Sequence, residues 1–407
     1  MKNSILICVF FVVIAFGFQV VSAQFPIKIP KLPKVEKPKQ EPQKTDDSGK
    51  IKTEITTTNQ SSNLGAERIY KNQKPTNVPV LLKNSVYVQA RTHNEYWKLP
   101  NERDYSSWIP MIRFSQFYDN DKQLNYTVEY FNADGSSWFS ETLEQGFSAA
   151  DRTVSFKSSN PYERLKTKST VATGVYSFKI TNQDTKQVLY QGNFKVSKFS
   201  TANRPQEKNK FDFFVEHDWL LPFGMIGFHH SDIEIGGVPL QISVWLKGIV
   251  NAKELEGRVF YKGQQIASSQ DRVAENYVSD YDERTTEFAA AYAPQNTWKR
   301  WLFQWGNFLF DNNGTFRRDN YPNAHYADKN PGEYTVKIYR NGTQIRELSF
   351  SIGTDGKIAV PGYSNQIPLP YYRVILPVKI IGAEKWDSVS WKTDAFYGNP
   401  LSGFNLP

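Results

Sequence analysis

The stretch GVYSFKI at residues 174–180 recurs as GEYTVKI at residues 332–338, and this repeat decides the fold. In both copies tyrosine, a second apolar residue and isoleucine alternate with other residues, which is the period of a half-buried β-strand. Each copy leads through a turn into another apolar strand, which contains Phe194 in the first case and Phe350 in the second. The repeat therefore predicts two related modules, each ending in a β-hairpin.

Short runs of alternating apolar and polar residues continue outward from the repeat, starting at about residue 78. Gly, Pro, Asn and Asp bound these runs, as is typical of antiparallel strands joined by turns. The predicted fold is all-β, with two tandem immunoglobulin-like (fibronectin-like) β-sandwich modules. The resemblance is one of architecture, because the Cys…Trp…Cys core of true immunoglobulin domains is absent from the sequence.

Changes in composition give the predicted boundaries. The first module covers residues 77–200 and the second covers residues 211–353, with a polar linker at 201–210 between them. Two segments have no counterpart in the repeat. They are an aromatic insertion near residues 270–330 and a tail at 354–407, which combines one strand with an irregular aromatic arm.

The secondary structure of these two segments follows from their apolar spacing. From Trp298 to Leu309 the aromatic residues fit both a helix and a strand, and periodicity alone leaves both alternatives open. From Tyr372 to Ile380 the residues alternate as one strand. Pro377 places that strand at a sheet edge, because proline has no amide hydrogen to donate to a neighbour.

The beginning of the chain has the pattern of a secretory signal peptide, predicted at residues 1–23. Lys2 is followed by an apolar run from Ile5 to Phe18 and by the small residues of a cleavage site. The apolar run is shorter than the roughly 20 residues of a spanning helix, so the cleaved chain is expected not to span a membrane. Cys8, the only cysteine, lies in this segment. An exported β protein of this size without disulfides favours a bacterial source and a periplasmic, cell-surface or secreted location.

The net charge of +8 is concentrated near the beginning of the chain. Residues 24–53 hold eight lysines against four acidic residues, and five prolines alternate with these lysines. We predict a disordered linker over residues 24–76, first rich in Pro and Lys and then in Thr and Asn. It serves either as a solvated spacer or as a basic arm lying on an anionic envelope surface. The rest of the chain is close to neutral, which argues against nucleic acid as a partner.

Two groups of residues have the chemistry of metal ligands. Imidazole and carboxylate groups could bind Zn²⁺, and clustered carboxylates could bind Ca²⁺. Their spacing matches no established site, so a polar strand face and a solvated acidic loop are the favoured interpretations, and neither a metal nor another cofactor is predicted. The weak metal candidates are His217, His230, Asp232, Asp280 and Asp282.

The aromatic residues are the strongest candidates for a binding surface. The chain has 28 Phe, 22 Tyr and 10 Trp, and such rings stack on sugar faces or fill partner pockets. The alternative is that the insertion and the tail pack together as a second core. The predicted ligand-binding residues are Trp298, Trp301, Trp305, Trp386, Trp391 and Tyr397.

Three functional hypotheses follow. No nucleophile elbow, phosphate loop, HExxH or CxxC motif is present, so the chain is predicted not to be an enzyme. The first hypothesis is a secreted binding or surface-interaction protein that recognises a glycan or another cell-envelope component through aromatic residues. The second is an envelope assembly subunit that docks a protein partner by a strand edge or by the tail. A glycan-active enzyme ranks last.

Overall fold

The computed structural model describes the chain from residue 78 onward, with gaps. All the described residues fall within one compact unit, residues 58–407. The predicted signal peptide and linker lie outside the described residues. The described ranges are 78–82, 85–94, 106–118, 122–148, 153–228, 238–273, 275–286, 288–310, 323–359, 373–382, 384 and 386.

In the first half of the chain, the described residues form two antiparallel sheets and one short helix, α1 (Tyr162–Lys168). The first sheet has the order β2-β3-β7-β6, and β1 pairs with the end of β3. The second has the order β10-β9-β8-β4-β5. The strands are β1 (Val80–Leu81), β2 (Tyr87–Asn94), β3 (Ser106–Phe117), β4 (Tyr126–Phe131), β5 (Ser137–Thr142), β6 (Glu144–Ser148), β7 (Thr153–Lys157), β8 (Gly174–Asn182), β9 (Val188–Ser200) and β10 (Phe211–Val215).

The second half forms two more sheets and a single-turn helix, α2 (Ala289–Tyr292). The third sheet has the order β15-β16-β12-β11-β20, and β17 pairs with β16 in parallel. The fourth has the order β14-β13-β18-β19-β21. The strands are β11 (Phe223–Phe228), β12 (Val238–Lys247), β13 (Leu255–Tyr261), β14 (Gln264–Ser268), β15 (Tyr277–Arg284), β16 (Trp298–Phe310), β17 (His325–Tyr326), β18 (Gly332–Arg340), β19 (Thr343–Ile352), β20 (Arg373–Pro377) and β21 (Lys379–Ile380).

The strand orders of the two halves correspond. The run β2-β3-β7-β6 in the first sheet matches β11-β12-β16-β15 in the third. The run β9-β8-β4-β5 in the second sheet matches β19-β18-β13-β14 in the fourth. Strands dominate the described chain and nearly all pair antiparallel, so the all-β prediction is confirmed.

The repeated tyrosine occupies the same environment in both halves. Tyr176 and Tyr334 are buried at the beginning of β8 and β18. The Tyr176 hydroxyl donates to the carbonyl of Ala172 at 3.1 Å, and the Tyr334 hydroxyl donates to the carbonyl of Asn330 at 2.7 Å. Each hydroxyl thus holds the backbone four residues upstream, so that the chain enters the strand at a fixed angle.

The repeated glycine has a conformational role just before each tyrosine. Gly174 has φ of 144° and Gly332 has φ of 139°, values that residues other than glycine rarely adopt. The tyrosine rings then stack on the phenylalanines of the next strand, with interplanar angles of 25° for Tyr176 and 8° for Tyr334. The two copies of the repeat therefore share the same local structure, which consists of a backbone bend at glycine, a hydrogen bond from the tyrosine hydroxyl and a stacked ring pair.

The apolar side chains form two buried clusters. One cluster belongs to the third and fourth sheets. The other fills the space between the first and second sheets and also includes Trp245, Trp298 and Ile375 from the second half. The two halves therefore share buried apolar surface where they meet.

The structure corrects the predicted linker between the modules. Residue 211 was expected to begin the second module after a linker at 201–210. Instead β10 pairs with β9 along its whole length and extends the second sheet. The physical reason is burial, because Phe213 and Val215 pack into the cluster of the first half.

The structure also corrects the insertion and the tail. The insertion supplies β15 and β16, which correspond to β6 and β7, so this part has a counterpart in the first half. The tail strand divides after Pro377: β20 lies at the edge of the third sheet, and β21 pairs with β19 at the edge of the fourth. Fully buried Arg346 forms an ion pair with Glu384, which holds the tail against β19.

The tyrosine anchors generate a prediction about stability. Tyr334→Phe and Tyr176→Phe keep the ring stacks and remove one hydroxyl hydrogen bond each, so each should lower the free energy of unfolding by about 1 kcal/mol. The loss should be larger for Tyr334, because its hydroxyl also lies 2.8 Å from Nε2 of His325. Urea titration of the purified variants measures both values. Equal stability of both variants and the unmodified chain would contradict the anchoring role.

Candidate functional site

A cavity of about 540 Å³ lies where the two halves meet, and we call it the junction cavity. Strand β2 and strand β10 contribute residues from the first half, as does the beginning of α1. The second half contributes the end of β15, the following loop and the first residue of β16. Neither half alone encloses this space.

Aromatic and polar side chains both line the junction cavity. Its aromatic residues are Tyr87, Tyr162, Phe214, Phe288 and Trp298. The charged groups are the guanidinium groups of Arg91 and Arg284 and the carboxylate of Asp212. Such a lining offers apolar surfaces for contact together with a few polar groups that can orient a ligand.

Asp212 is the most unusual residue of the lining. Its side chain is 3% exposed, although it stands in the otherwise apolar strand FDFFV. Its Oδ1 accepts hydrogen bonds from the Thr92 hydroxyl at 2.5 Å and from the amide of Phe213 at 3.0 Å. Its Oδ2 is buried with no hydrogen-bond partner among the described residues.

A second polar atom of the lining is also buried and unpaired within the described chain. The hydroxyl of Thr286, which also lines the junction cavity, is buried without a hydrogen-bond partner in the described part of the chain. Leaving such a group unpaired costs about 1–3 kcal/mol, so native proteins usually satisfy it with protein, water or a ligand. A ligand in the cavity could supply both missing partners.

The ring of Tyr87 lies between two cations. The guanidinium of Arg284 is 4.0 Å from the ring centre and that of Arg113 is 4.7 Å from it. Burial raises the pKa of Tyr87, so its hydroxyl stays protonated. Arg284 also pairs with Asp282 at 2.9 Å, which fixes the guanidinium over the ring.

His217 forms part of the cavity wall next to the junction. The residue is buried, and its ring meets that of Trp298 edge-on, with the centres 5.4 Å apart. Burial, followed by the charge of Arg284, holds the pKa of His217 well below its usual range. The imidazole is therefore neutral at physiological pH and does not add to the positive charge of the wall.

Asp218 fixes the position of Trp298. The carboxylate is buried, and its Oδ1 accepts a hydrogen bond from Nε1 of Trp298 at 2.8 Å. Lys247 on β12 lies 2.7 Å from the same oxygen and forms the ion pair that balances its charge. These contacts connect the turn after β10 to two strands of the third sheet.

A buried polar network positions α1 at the cavity. Arg164 on α1 forms an ion pair with Glu141 on β5 and donates to the carbonyl of Ser159 at 2.8 Å. Glu141 also accepts from the hydroxyl of Ser158 at 2.7 Å. Because this network holds the helix, Tyr162 and Leu165 of the same helix are fixed in the cavity lining.

The predicted aromatic platform of the insertion does not form. Trp298, Trp301 and Trp305 are all buried, because β16 is a central strand of the third sheet. The prediction of an exposed stacking surface at these three residues is therefore wrong, and Trp298 instead lines the junction cavity. Trp386 is partly buried against the cluster of the first half. Trp391 and Tyr397 lie outside the described residues.

The weak metal candidates are occupied by other contacts or not described. Asp280 pairs with Lys299 at 2.9 Å, and this hydrogen bond lowers the pKa of Asp280. Asp282 pairs with Arg284 at 2.9 Å. His230 and Asp232 lie outside the described residues, and within those residues no three His, Cys, Asp or Glu side chains gather as metal ligands.

Sequence reasoning missed most of the cavity. Among the residues that line the cavity, the sequence analysis named only Trp298 and His217 as candidates. Asp212 had one available signal, a single carboxylate in a strand whose other residues are apolar. Tyr87 and Arg284 had none, because residues far apart in the chain meet only through the packing of the two halves.

The comparisons with known proteins give little further information. No protein-family model matches the chain, and no curated protein is significantly similar to it. Among solved structures, a glycosyl hydrolase family 2 member from Bacteroides cellulosilyticus is similar with 9% identity and a TM-score of 0.19. The match covers 68% of this chain and 28% of that one, so the chain spans under a third of the hydrolase's length. In the described part, no helix is both long and apolar enough to cross a bilayer.

The buried imidazole generates a prediction about pH. The pKa of His217 is lowered in the folded chain, whereas the unfolded chain binds a proton near its usual value of about 6.5. The contribution of His217 to the free energy of unfolding should therefore be fully present above that value. It should fall with decreasing pH, by up to about 1.4 kcal/mol per pH unit. His217→Phe should remove this part of the slope. Urea titrations from about pH 7.5 to about pH 5 measure it; parallel curves for the two proteins would contradict the assignment.

Proposed function

We propose that the two halves are tandem immunoglobulin-like modules. In such modules strands A, B, E and D form one sheet, and strands C, F and G form the other. The orders β2-β3-β7-β6 and β11-β12-β16-β15 fit the first pattern, and the remaining sheets fit the second with an added C′ strand. The hydroxyl anchors of Tyr176 and Tyr334 support this, because a tyrosine bonded to the backbone upstream of strand F is a hallmark of the fold.

We further propose that the chain is an exported, non-catalytic binding protein that holds a polar group of a cell-envelope partner in the junction cavity. The observation that supports this most is the buried Oδ2 of Asp212, which has no hydrogen-bond partner among the described residues of an aromatic-lined cavity. A donor on the partner would satisfy this atom and that of Thr286, while the rings of the lining contact the apolar part of the same partner.

Binding fits this lining better than glycan hydrolysis does. Asp212 is the one carboxylate among the described lining residues, whereas glycoside hydrolysis generally requires a pair of carboxyl groups facing the scissile bond. The single carboxylate and the neutral imidazole of His217 can orient a partner without such a pair. The proposed aromatic contacts come from the cavity lining, because the tryptophans of the insertion are buried in the third sheet.

The proposal is tested by an isosteric change at the unpaired carboxylate. Asp212→Asn keeps an oxygen that can accept from Thr92 and replaces the other with an amide group that donates instead. Retention of the purified chain on insoluble polysaccharides and on cell-envelope fractions should fall about tenfold, because the donor of the partner loses its acceptor.

The control is Asp280→Asn, which removes a surface ion pair and leaves the cavity lining unchanged. This variant should be retained like the unmodified chain. Equal retention of Asp212→Asn and the unmodified chain, with both stably folded, would rule out the junction cavity as the binding site. Absence of retention on every fraction would overturn the binding function itself.

A further inference from the structure

The lining of the junction cavity includes four exposed residues, which we call the cavity rim. Gln89 and Arg91 belong to β2, and Asn160 and Tyr162 lie just before and at the beginning of α1. The other described residues of the lining are buried or half-buried. A ligand that reaches the interior of the cavity therefore also meets the cavity rim, and the chemistry of these side chains limits what it can be.

Arg91 supplies a positive charge to the cavity rim. Its guanidinium has neither an ion pair nor a hydrogen bond with another described residue. Because residues alternate along β2, the side chain of Arg91 lies on the same face of the first sheet as those of Gln89 and Tyr87. A guanidinium presents paired N–H groups that match two oxygens of a carboxylate or a phosphate. Arg91 is thus suited to bind an anionic group.

The unbalanced charges of the lining lie at two depths. The charge of Arg284 is offset by Asp282 at 2.9 Å. Arg91 in the cavity rim and Asp212 in the interior have no ion-pair partner within the described chain. Asp212 is 3% exposed, so its free oxygen is reached only inside the cavity. A matching ligand therefore carries an anionic group where it enters and a hydrogen-bond donor where it ends.

Tyr162 gives the cavity rim an exposed aromatic ring. The residue is 56% exposed, and Nζ of Lys166 lies 3.9 Å from the ring centre. No other ring or cation of the described residues contacts this ring, so the remainder can stack on a ligand. Oδ1 of Asn160 accepts from the amide of Tyr162 at 3.1 Å, which places a side-chain amide beside the ring. An aromatic surface next to polar groups suits a sugar, which combines a C–H face with hydroxyl groups at its edge.

We propose that the junction cavity binds an acidic saccharide, that is, a sugar that carries a carboxylate or a phosphate group. This inference rests on the proposed function and names the chemical class of the ligand. The anionic group pairs with Arg91, and a sugar ring stacks on Tyr162. A hydroxyl group inside the cavity donates to Oδ2 of Asp212.

A sugar hydroxyl fits the interior of the cavity better than an ammonium group does. A hydroxyl both donates and accepts, so neighbouring hydroxyls can satisfy Oδ2 of Asp212 and the hydroxyl of Thr286 together. An ammonium group only donates, and it would bring a second positive charge into a lining that already holds Arg284. The lining therefore favours an acidic saccharide over a zwitterionic amino acid.

Matched saccharides test the requirement for negative charge on the purified chain. Tetragalacturonate and its methyl ester have the same rings and differ in carboxylate charge, and mannose 6-phosphate and mannose differ in phosphate charge. In calorimetric titrations, the charged member of at least one pair should bind about tenfold more tightly than its neutral counterpart. The pair that shows the difference identifies the anionic group. Equal binding within both pairs would overturn the inference.

Arg91→Gln tests which residue recognises the charge. This variant should bind the charged and neutral members of a pair equally, because the discriminating contact is gone. Arg272→Gln is the matched control, since it removes the same charge from an exposed position outside the lining, and it should keep the tenfold preference. If both variants kept the preference, or if both lost it, then Arg91 would not be the recognising residue and the inference would be wrong.

Tyr162→Ala tests the stacked ring. Because stacking does not depend on the charge of the ligand, the variant should weaken binding of the charged and neutral members by the same factor, about threefold to tenfold. The side chain is exposed, so its loss should leave the fold intact. Unchanged binding of both members would contradict the contact between Tyr162 and a sugar ring.

The remaining outcomes separate this inference from the proposed function. If no saccharide binds, but cell-envelope fractions retain the chain and Asp212→Asn releases it, then the ligand is not an acidic saccharide while the proposed function holds. If neither the saccharides nor the envelope fractions bind, then both proposals fail.

Discussion

The buried carboxylate of Asp218 is the contact on which the arrangement of the two halves depends. It accepts a hydrogen bond from Trp298 and forms an ion pair with Lys247, and all three groups lie at the junction. A buried charge that loses its partner costs about 3–5 kcal/mol, so these contacts must form together. Trp298, held in this way, packs into the cluster of the first half and forms one wall of the cavity. The cavity is thus a consequence of how the halves are joined.

The local pattern of the sequence predicts the strands well, and it does so for a physical reason. Alternation records which face of a strand is buried, and the repeated Gly-x-Tyr fixes the same bend and anchor in both halves. The all-β class and the final hairpins could therefore be predicted. The limit of the second sheet could not, because whether β10 joins β9 depends on the burial of Phe213 in a core built from distant residues.

A high content of aromatic residues does not by itself predict an exposed binding surface. The tryptophans of β16 have the spacing of a strand with both faces buried, and such a strand has no exposed platform. The indole of Trp305 instead donates to the carbonyl of Gly257 at 2.9 Å, and a Cβ on Gly257 would lie 2.9 Å from the Trp305 ring. These rings serve the core. The residues of the proposed binding site are fewer and more polar, and they come together only through tertiary packing.

The junction cavity exists only if the buried contacts of Asp218 hold Trp298 and Lys247 in place. Urea titration of Asp218→Asn tests this most directly, because it needs no knowledge of the partner. We expect the free energy of unfolding to fall by about 3 kcal/mol, because the substitution leaves Lys247 without the opposite charge. An unchanged free energy of unfolding would contradict the dependence of the junction on this carboxylate.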